Sequence, residues 1–229
     1  MELQGKRIAV TGAFGALGAA MVESAAAAGA RVAAIDRAAA PTSIAANVTA
    51  IGGVDLADAT AAKSAIDAAA QALGGLDGLV NIAGTFRWET LADGSVDTWD
   101  LLYRVNLRTA VAASKAAIPY LISSSAGRIV NISAAGSIKA GAGMGAYAAS
   151  KSGVARLTEA LAEELKDRGI TVNAIMPSTI DTAANRADMP KADFSRWVSP
   201  AQLADVIVFL LSDRASAVTG ALLPVMGRV

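Results

Sequence analysis

Three side chains near the middle of the sequence could form a proton-transfer site. Tyr147 and Lys151 are four residues apart in a segment that reads as helical, so both side chains project from one helical face. A phenol with a pKa of about 10 is a poor acid or base at neutral pH, but a nearby ammonium stabilises the phenolate. Ser133 precedes Tyr147 by 14 residues and could donate a hydrogen bond to a substrate oxygen on which negative charge develops. These residue types predict acid-base chemistry at an oxygen atom.

A glycine-rich turn near the start of the chain predicts a binding site for a pyrophosphate. Gly12, Gly15 and Gly18 lie between a short apolar run and an Ala-rich segment. In such a strand-to-helix turn, Gly12 permits the tight bend, Gly15 lets the backbone approach the phosphates, and Gly18 lets the helix pack on the strand. The alternative is a turn without a ligand. The residues expected to line this site are Gly12, Phe14, Gly15, Ala16, Leu17 and Gly18.

An acidic residue follows the turn at the spacing expected for a dinucleotide. Asp36 lies 18 residues after Gly18, close to the interval of about 20 at which a carboxylate binds the adenosine ribose. Such a carboxylate repels a 2′-phosphate and therefore favours NAD. The guanidinium of Arg37 beside it could bind that phosphate, so NADP remains possible. A solvated turn after a strand is the alternative interpretation.

Composition excludes several other classes of function. The 229 residues include no Cys and no His, which removes thiolate nucleophiles, disulfides and the commonest metal ligands. The 20 basic and 20 acidic residues give a net charge of +0, so we expect no nucleic-acid partner. No stretch approaches the roughly 20 apolar residues of a membrane span, and we expect a cytoplasmic protein with no membrane partner and no bound metal.

Short apolar runs alternate with longer Ala-rich segments along the whole chain. This alternation is typical of repeated strand-helix units with a parallel sheet. A composition of 54% hydrophobic residues agrees with a sheet that is buried on both faces. We therefore predict a single α/β domain over residues 1–229, a Rossmann-like doubly wound sheet of about seven strands with helices on both faces. The predicted strands are Arg7–Val10, Arg31–Ile35, Ala50–Val54, Leu79–Ile82, Arg128–Ile132, Thr171–Ile175 and Ala221–Val225.

Five helical segments connect these strands, and the last has a clear start signal. Ser199 can cap its first turn, Pro200 suits the first helical position, and Gln202 completes a capping box. The predicted helices are Ala16–Ala28, Asp58–Leu73, Val96–Leu121, Ala146–Lys166 and Pro200–Leu211. The least regular segments follow strands 4, 5 and 6, where open α/β sheets bind ligands. They are Gly84–Ser95, Ser133–Gly145 and Ser178–Val198.

Aromatic residues in two of these segments could form a flat substrate pocket. Phe86 and Trp88 follow the fourth strand, and Phe194 and Trp197 follow the sixth. We predict substrate contacts from Phe86, Trp88 and Trp197 beside Ser133 and Tyr147. Ordinary packing beneath the loops is an equally good interpretation of these aromatic residues.

Taken in chain order, these motifs resemble those of the short-chain dehydrogenase/reductase family, and the match extends over essentially the whole chain. Asn81-Ile82-Ala83-Gly84 resembles the Asn-Asn-Ala-Gly that follows the fourth strand in that family. Pro177-Ser178-Thr179-Ile180-Asp181-Thr182 resembles its Pro-Gly-x-x-x-Thr segment. The chain departs from the family pattern at Ala16, where the main branch has its middle glycine, at Ile82 and at Ser178.

The resemblance implies hydride transfer between NAD(P)(H) and a small carbonyl or alcohol. It implies that Tyr147 is the general acid or base, that Lys151 holds the nicotinamide ribose, that Ser133 orients the reacting oxygen, and that Asn106 positions water. It also implies that Tyr147 and Lys151 contact the cofactor. The further cofactor contacts it implies are Asp55, Leu56, Asn81, Ala83, Gly84, Pro177, Ser178, Ile180 and Thr182.

Two alternative functions remain open at this point. Asp181–Trp197 and the pair Gly143-Met144 resemble the dihydropteridine reductase branch of the family, which uses NADH, although that branch lacks the serine present here as Ser133. A non-catalytic dinucleotide-binding sensor would keep the fold, but it would not need Asn106, Ser133, Tyr147 and Lys151 together. The resemblance also implies a homodimer or homotetramer, with the Val96–Leu121 and Ala146–Lys166 helices at its interface.

Overall fold

The apolar runs of the sequence form one parallel sheet of seven strands. The computed structural model describes residues 1–229. The strand order is β3-β2-β1-β4-β5-β6-β7, so the chain moves outward from β1 in one direction and then restarts at β4 on its other side. The strands are β1 Arg7–Thr11, β2 Arg31–Ile35, β3 Val48–Ile51, β4 Gly78–Asn81, β5 Arg128–Ile132, β6 Thr171–Pro177 and β7 Leu222–Val225.

Helices cover both faces of this sheet, which confirms the predicted doubly wound α/β fold. No helix is long and apolar enough to cross a membrane. The α-helices are α1 Ala16–Ala27, α2 Ala59–Leu73, α3 Val96–Leu102, α4 Thr109–Ile122, α5 Gly145–Leu165, α6 Ala183–Asp188 and α7 Pro200–Leu211. A π-helical segment, Tyr103–Arg108, joins α3 to α4, and 3-10 turns occupy Ala135–Ser137, Lys166–Arg168, Phe194–Arg196 and Asp213–Ala215.

Alternate residues of each central strand pack into two separate cores. Ile8 and Val10 of β1 belong to the core beneath α1 and α7, whereas Ala9 between them belongs to the core beneath α2, α4 and α5. This is why the strand sequences are continuously apolar rather than alternating. Alanines supply much of the α2 surface that faces the sheet, where small side chains let the helix approach closely. The buried alanines of α2 are Ala62, Ala65, Ala69 and Ala70.

Most element boundaries agree with those predicted from the sequence. β2, β5 and α7 have the predicted bounds, and α7 begins with the expected Ser199–Gln202 capping box. β3 lies at Val48–Ile51 instead of Ala50–Val54, because the glycines at 52 and 53 end it. A Cβ on Gly52 would lie 2.3 Å from the Ala40 backbone nitrogen, and Gly53 has φ +76°.

Two local features differ from prediction. The expected single helix Val96–Leu121 is interrupted by the π-helical segment Tyr103–Arg108. The predicted irregular segment Ser178–Val198 contains the short helix α6, whose first turn is capped by the Thr182 side chain. Both features lie beside the carboxyl ends of the strands, where the candidate site is found.

Candidate active site

A large cleft runs across the carboxyl edge of the sheet. It has a volume of about 1740 Å³ and begins at the glycine-rich turn after β1. It then passes β4 and β5 and ends among residues of the segment after β6. The strand order reverses between β1 and β4, and a ligand crevice is expected at that switch point. The fold therefore brings the two motifs that the sequence separates by more than 100 residues into one cavity.

Each of the three positions in the turn requires or permits a glycine for a different structural reason. Gly12 has φ +65°, and a Cβ there would lie 2.7 Å from the Ala83 nitrogen on the neighbouring strand end. A Cβ on Gly18 would lie 2.0 Å from the Gly12 carbonyl oxygen, so the α1 helix passes directly over the turn. Gly15 is the N-cap of α1 and has no such neighbour, since its nearest heavy atom would be 3.6 Å away. Gly15 therefore leaves room on its cleft side.

Acidic side chains border the cleft at the end of β2 and after β3. Asp36 accepts hydrogen bonds from the backbone nitrogens of Phe14 and Ala38, each at 2.9 Å, and so links β2 to the glycine-rich turn. Asp55 accepts from the Ala57 nitrogen and pairs with Arg104, and these contacts hold the pKa of its carboxyl below the usual value. This end of the cleft therefore offers carboxylate oxygens to a polar ligand.

Tyr147, Lys151 and Ser133 meet at the other end of the cleft. Tyr147 packs edge-on against Phe86, with ring centroids 4.9 Å apart, and burial raises the pKa of its phenol to about 12. The Lys151 ammonium donates to the Ile132 carbonyl oxygen at 2.8 Å, and burial lowers its pKa to about 8. Ser133 donates to the Lys151 carbonyl oxygen at 2.9 Å. The three predicted groups thus border one space.

The expected effect of Lys151 on the Tyr147 phenol is not found in this structure. From the sequence, we predict that a close ammonium stabilises the phenolate, which would lower the pKa of Tyr147. Burial instead raises that pKa, and the ammonium is directed to the carbonyl at the end of β5. Desolvation disfavours the charged form of both groups, and no opposite charge compensates it.

Asn106 lies behind the cleft rather than in its wall. It is only 1% exposed, and the π-helical segment holds it between two parts of the site. Its Oδ1 accepts from the Thr85 nitrogen at 2.7 Å, and its Nδ2 donates to the Ser150 hydroxyl at 2.9 Å. Ser150 in turn donates to the Tyr147 carbonyl oxygen. Asn106 therefore connects the segment after β4 with the helix that carries Tyr147, and its role in positioning water stays a prediction.

Two further residues predicted at the site lie outside the cleft. The buried Asn81 amide donates to Ser114 and to Asn131, beneath the cleft floor. Its Oδ1 has no partner there. Trp197 is 9% exposed, and its ring centroid lies 4.8 Å from that of Phe194. Trp197 therefore packs within its own loop. The other predicted residues line the cleft: Gly12, Phe14, Gly15, Ala16, Leu17, Gly18, Asp36, Arg37, Asp55, Leu56, Ala83, Gly84, Phe86, Trp88, Ser133, Tyr147, Lys151, Pro177, Ser178, Ile180 and Thr182.

Several residues that line the cleft have no role in the sequence analysis. They lie in the loops after β4 and β5 and in or beside the short helix α6, where neither periodicity nor a motif marks a residue as facing a site. Met144 and the residues of Asp181–Trp197 lie in segments that the sequence marks only by their resemblance. The principal additions are Thr85, Arg87, Lys139, Met144, Asn185, Asp188 and Met189.

Comparison with known proteins decides the family. Residues 6–193 match the family model described as short chain dehydrogenase. The chain belongs to the short-chain dehydrogenase family. It is 32% identical to 2-(S)-hydroxypropyl-CoM dehydrogenase 3 of Xanthobacter autotrophicus, over 99% of this chain and 97% of that one. It is 32% identical to a 3-oxoacyl-(acyl-carrier-protein) reductase of Vibrio harveyi, over 99% of this chain and 98% of that one.

A solved structure agrees with this assignment. The short-chain dehydrogenase/reductase from Serratia marcescens superposes with a TM-score of 0.90 at 32% identity, covering 100% of this chain and 99% of that one. This short-chain dehydrogenase is therefore an NAD(P)-dependent oxidoreductase that acts on CH-OH or C=O groups. These relatives do not favour the pterin reductase or the non-catalytic sensor as its function.

Proposed function

We propose that this short-chain dehydrogenase prefers NAD(H) and interconverts a small carbonyl compound and its alcohol, with Tyr147 as the general acid or base. The observation that carries the proposal is that Asp36, the glycine-rich turn, Ser133, Tyr147 and Lys151 border one continuous cleft. A dinucleotide laid from Asp36 past the turn would end beside Tyr147. That arrangement holds the two reactants close together, which is the main contribution of a protein to cofactor chemistry.

The residues at the adenosine end fit the dinucleotide. The open space at Gly15 and the absence of acidic residues from the first turn of α1 suit a pyrophosphate at that helix N-terminus. Each Asp36 oxygen already accepts one backbone amide, and a carboxylate has further lone pairs for the ribose hydroxyls. A 2′-phosphate would be repelled by Asp36 and attracted by Arg37, which predicts weaker binding of NADPH rather than none.

The residues at the other end supply a proton and hold the reacting oxygen. The nicotinamide, when bound, gives or receives the hydride. In the direction of reduction, the protonated phenol of Tyr147 donates to the carbonyl oxygen, and its raised pKa keeps it protonated before the reaction. Ser133 donates to the same oxygen after its hydroxyl turns away from the Lys151 carbonyl, and Lys151 donates to a ribose hydroxyl.

Fluorescence titration with NADH and NADPH, followed by turnover of a panel of ketones and aldehydes, tests the proposal. We expect tighter binding of NADH and oxidation of NADH by at least one carbonyl compound. Tyr147→Phe should keep the affinity for NADH and lose at least 100-fold in kcat, on the order of what a general acid contributes. Asp36→Ala should weaken NADH binding and reduce the ratio of the affinity for NADH to the affinity for NADPH. Unchanged kcat in Tyr147→Phe would remove the assignment of that residue.

We also propose that the molecule assembles as a homodimer or homotetramer. Large apolar side chains recur along α3 and into α4 and remain exposed in the single chain. We call them the α3-α4 apolar face: Val96 at 73%, Trp99 at 38%, Tyr103 at 54% and Val111 at 41% exposure. Covering such a face with a second copy removes apolar surface from water.

A further inference from the structure

Two loops meet at the reactive end of the cleft and are fastened to each other. The Trp88 indole nitrogen donates to the Ala142 carbonyl oxygen at 2.9 Å, and the Glu89 nitrogen donates to the Gly143 carbonyl oxygen at 2.8 Å. Gly143 has φ +74°, and a Cβ there would lie 2.2 Å from the indole, so the ring rests on this glycine. The segments 85–89 and 139–144 therefore form one structure, which we call the joined rim.

The joined rim borders the reacting group directly. Phe86 contacts the Tyr147 ring edge-on at 4.9 Å, and Trp88 and Met144 also line the cleft. These side chains give the wall beside Tyr147 an apolar character. A substrate whose carbonyl faces Tyr147 would place its hydrocarbon part against them.

The joined rim also carries two cations that have no partner. Arg87 and Lys139 both line the cleft, and neither lies within 4.0 Å of a carboxylate oxygen. Arg87 lies between Phe86, which packs on the Tyr147 ring, and Trp88, which donates a hydrogen bond to the Ala142 carbonyl oxygen. Lys139 lies on the other segment of the same rim, three residues before the Ala142 that binds Trp88.

One acidic group outside the cleft interacts with this pair. The Thr98 side chain, the Ser95 nitrogen at 2.9 Å and the charge of Arg87 together lower the pKa of the Glu89 carboxyl, but Glu89 does not line the cleft and forms no salt bridge with Arg87. Asp36 and Asp55 belong to the adenosine end, and Asp188 is the acidic side chain that lines the reactive end. The reactive end therefore has an excess of positive charge at its mouth, in a protein with a net charge of +0.

We propose that Arg87 and Lys139 bind an anionic group of the substrate, so that the preferred substrate is a carbonyl or hydroxy compound with an apolar body and a carboxylate or sulfonate at its far end. Guanidinium and ammonium groups bind such oxyanions through charge-assisted hydrogen bonds. The apolar body packs on Phe86 and Trp88 while the reacting oxygen faces Tyr147. This inference rests on the proposed function and specifies its substrate class.

Matched pairs of neutral and anionic ketones test the inference. Levulinate and para-acetylbenzoate are each compared with their methyl esters, with NADH, in the wild type and in Arg87→Gln and Lys139→Gln. We expect the wild type to favour each acid, and each variant to lose about fivefold in kcat/KM for the acids with little change for the esters. Added salt should reduce the preference for the acids, because it screens exposed charges. Arg168→Gln is the control. Arg168 is an exposed cation outside the cleft, so this substitution should leave kcat/KM unchanged for both the acids and the esters.

A binding measurement separates failure of this inference from failure of the proposed function. Quenching of tryptophan fluorescence by each acid and ester is measured in the presence of NAD, whether or not the compounds react. Selective binding of the acids that both rim variants weaken would support the inference even without turnover, and the lack of turnover would count against the proposed function alone. Equal affinity and equal kcat/KM for acid and ester in the wild type, or equal losses for both in the variants, would overturn the inference.

Discussion

The Lys151 side chain is held in a position that costs stability. Its ammonium is buried and has one carbonyl partner, and burial lowers its pKa to about 8 from the ordinary 10.5. A shift of this size corresponds to about 3 kcal/mol of unfavourable interaction with the charged form. Groups at functional sites are often retained at such a cost, because the same desolvation strengthens their interaction with a bound ligand.

Replacing this ammonium by an apolar group of similar length should stabilise the empty protein. We expect Lys151→Met to raise the free energy of unfolding by about 1–2 kcal/mol at about pH 7, since the loss of the hydrogen bond to Ile132 offsets part of the gain. Below the folded pKa of about 8, Lys151 is charged in both states and the full cost is present. Between about 8 and 10.5 the unfolded chain binds more protons than the folded one, so the wild type gains stability as the pH rises.

Urea unfolding of the wild type and Lys151→Met at about pH 7 and about pH 9.5 measures this difference. The advantage of the variant should be smaller at the higher pH. An advantage that is equal at both pH values, or a variant less stable than the wild type at the lower pH, would contradict the burial of a charged ammonium at this position. Lys115→Met, at an exposed residue of α4, is the matched control. Its free energy of unfolding should differ from that of the wild type by the same small amount at both pH values.

Among the glycines of the turn, we expect Gly18 to be needed for folding and Gly15 to be needed for cofactor binding. Gly18→Ala would bring a Cβ within 2.0 Å of backbone oxygen, so we expect a loss of about 3 kcal/mol or more in the free energy of unfolding. Gly15→Ala has open space, and the N-cap change should cost at most about 1 kcal/mol, while the methyl group should weaken NADH binding by about tenfold. Urea unfolding and NADH titration of both variants check this. Wild-type affinity in Gly15→Ala would place the pyrophosphate elsewhere.

The π-helical segment Tyr103–Arg108 carries Asn106 between two parts of the site. A single wider turn of helix changes the direction of the side chains that follow, and such turns recur at functional sites. Asn106 uses it to connect Thr85, beside the cleft, with Ser150, one turn below Tyr147. The loop that carries the joined rim and the helix that carries the phenol are thereby held at a fixed separation.

Truncating this connection should affect stability and activity together. We expect Asn106→Ala to lower the free energy of unfolding by about 2–3 kcal/mol, because the Thr85 amide loses its acceptor and the Ser150 oxygen loses its donor. The rate of turnover should fall as well, since Tyr147 is then held less firmly. Urea unfolding and steady-state kinetics of the variant measure both effects, with Lys115→Ala on α4 as a control expected to change stability by about 0.5 kcal/mol at most. Wild-type stability in Asn106→Ala would show that Thr85 and Ser150 find other partners.

The elements that the sequence predicts well are those whose own residues determine them. The apolar runs of β2 and β5 and the Ser199 capping box fix their bounds locally, and the glycine-rich turn carries its own signature. The π-helical segment has no such local signal, and the partners of its Asn106 lie on two distant segments of the chain. The sequence likewise has no signal that Trp197 and Asn81 lie outside the cleft wall. A residue type near a site does not determine whether its side chain turns toward the cleft or into the packing beneath it.

In the whole molecule, the cleft and the α3-α4 apolar face are built from different side chains of the same fold. The cleft follows from the strand order, which leaves a crevice between β1 and β4. The α3-α4 apolar face has no counterpart in the cleft chemistry, and its side chains cover neither core. The proposed assembly would cover these exposed valine and aromatic residues, which lie on elements that otherwise pack inward.

The assembly prediction can be tested at a single residue of that face. Sedimentation velocity of the wild type should give a dimer or tetramer, and Val111→Glu should give monomers, because the interface would bury an unpaired carboxylate. Ile44→Glu is the matched control: Ile44 is an apolar residue of similar exposure, 46% against 41% for Val111, on the segment between β2 and β3. If Val111→Glu does not dissociate, or if Ile44→Glu dissociates equally, the assignment of the interface to the α3-α4 apolar face fails. A wild type that sediments as a monomer at micromolar concentration would contradict the prediction altogether, and the exposed face would then need a partner other than a second copy of this chain.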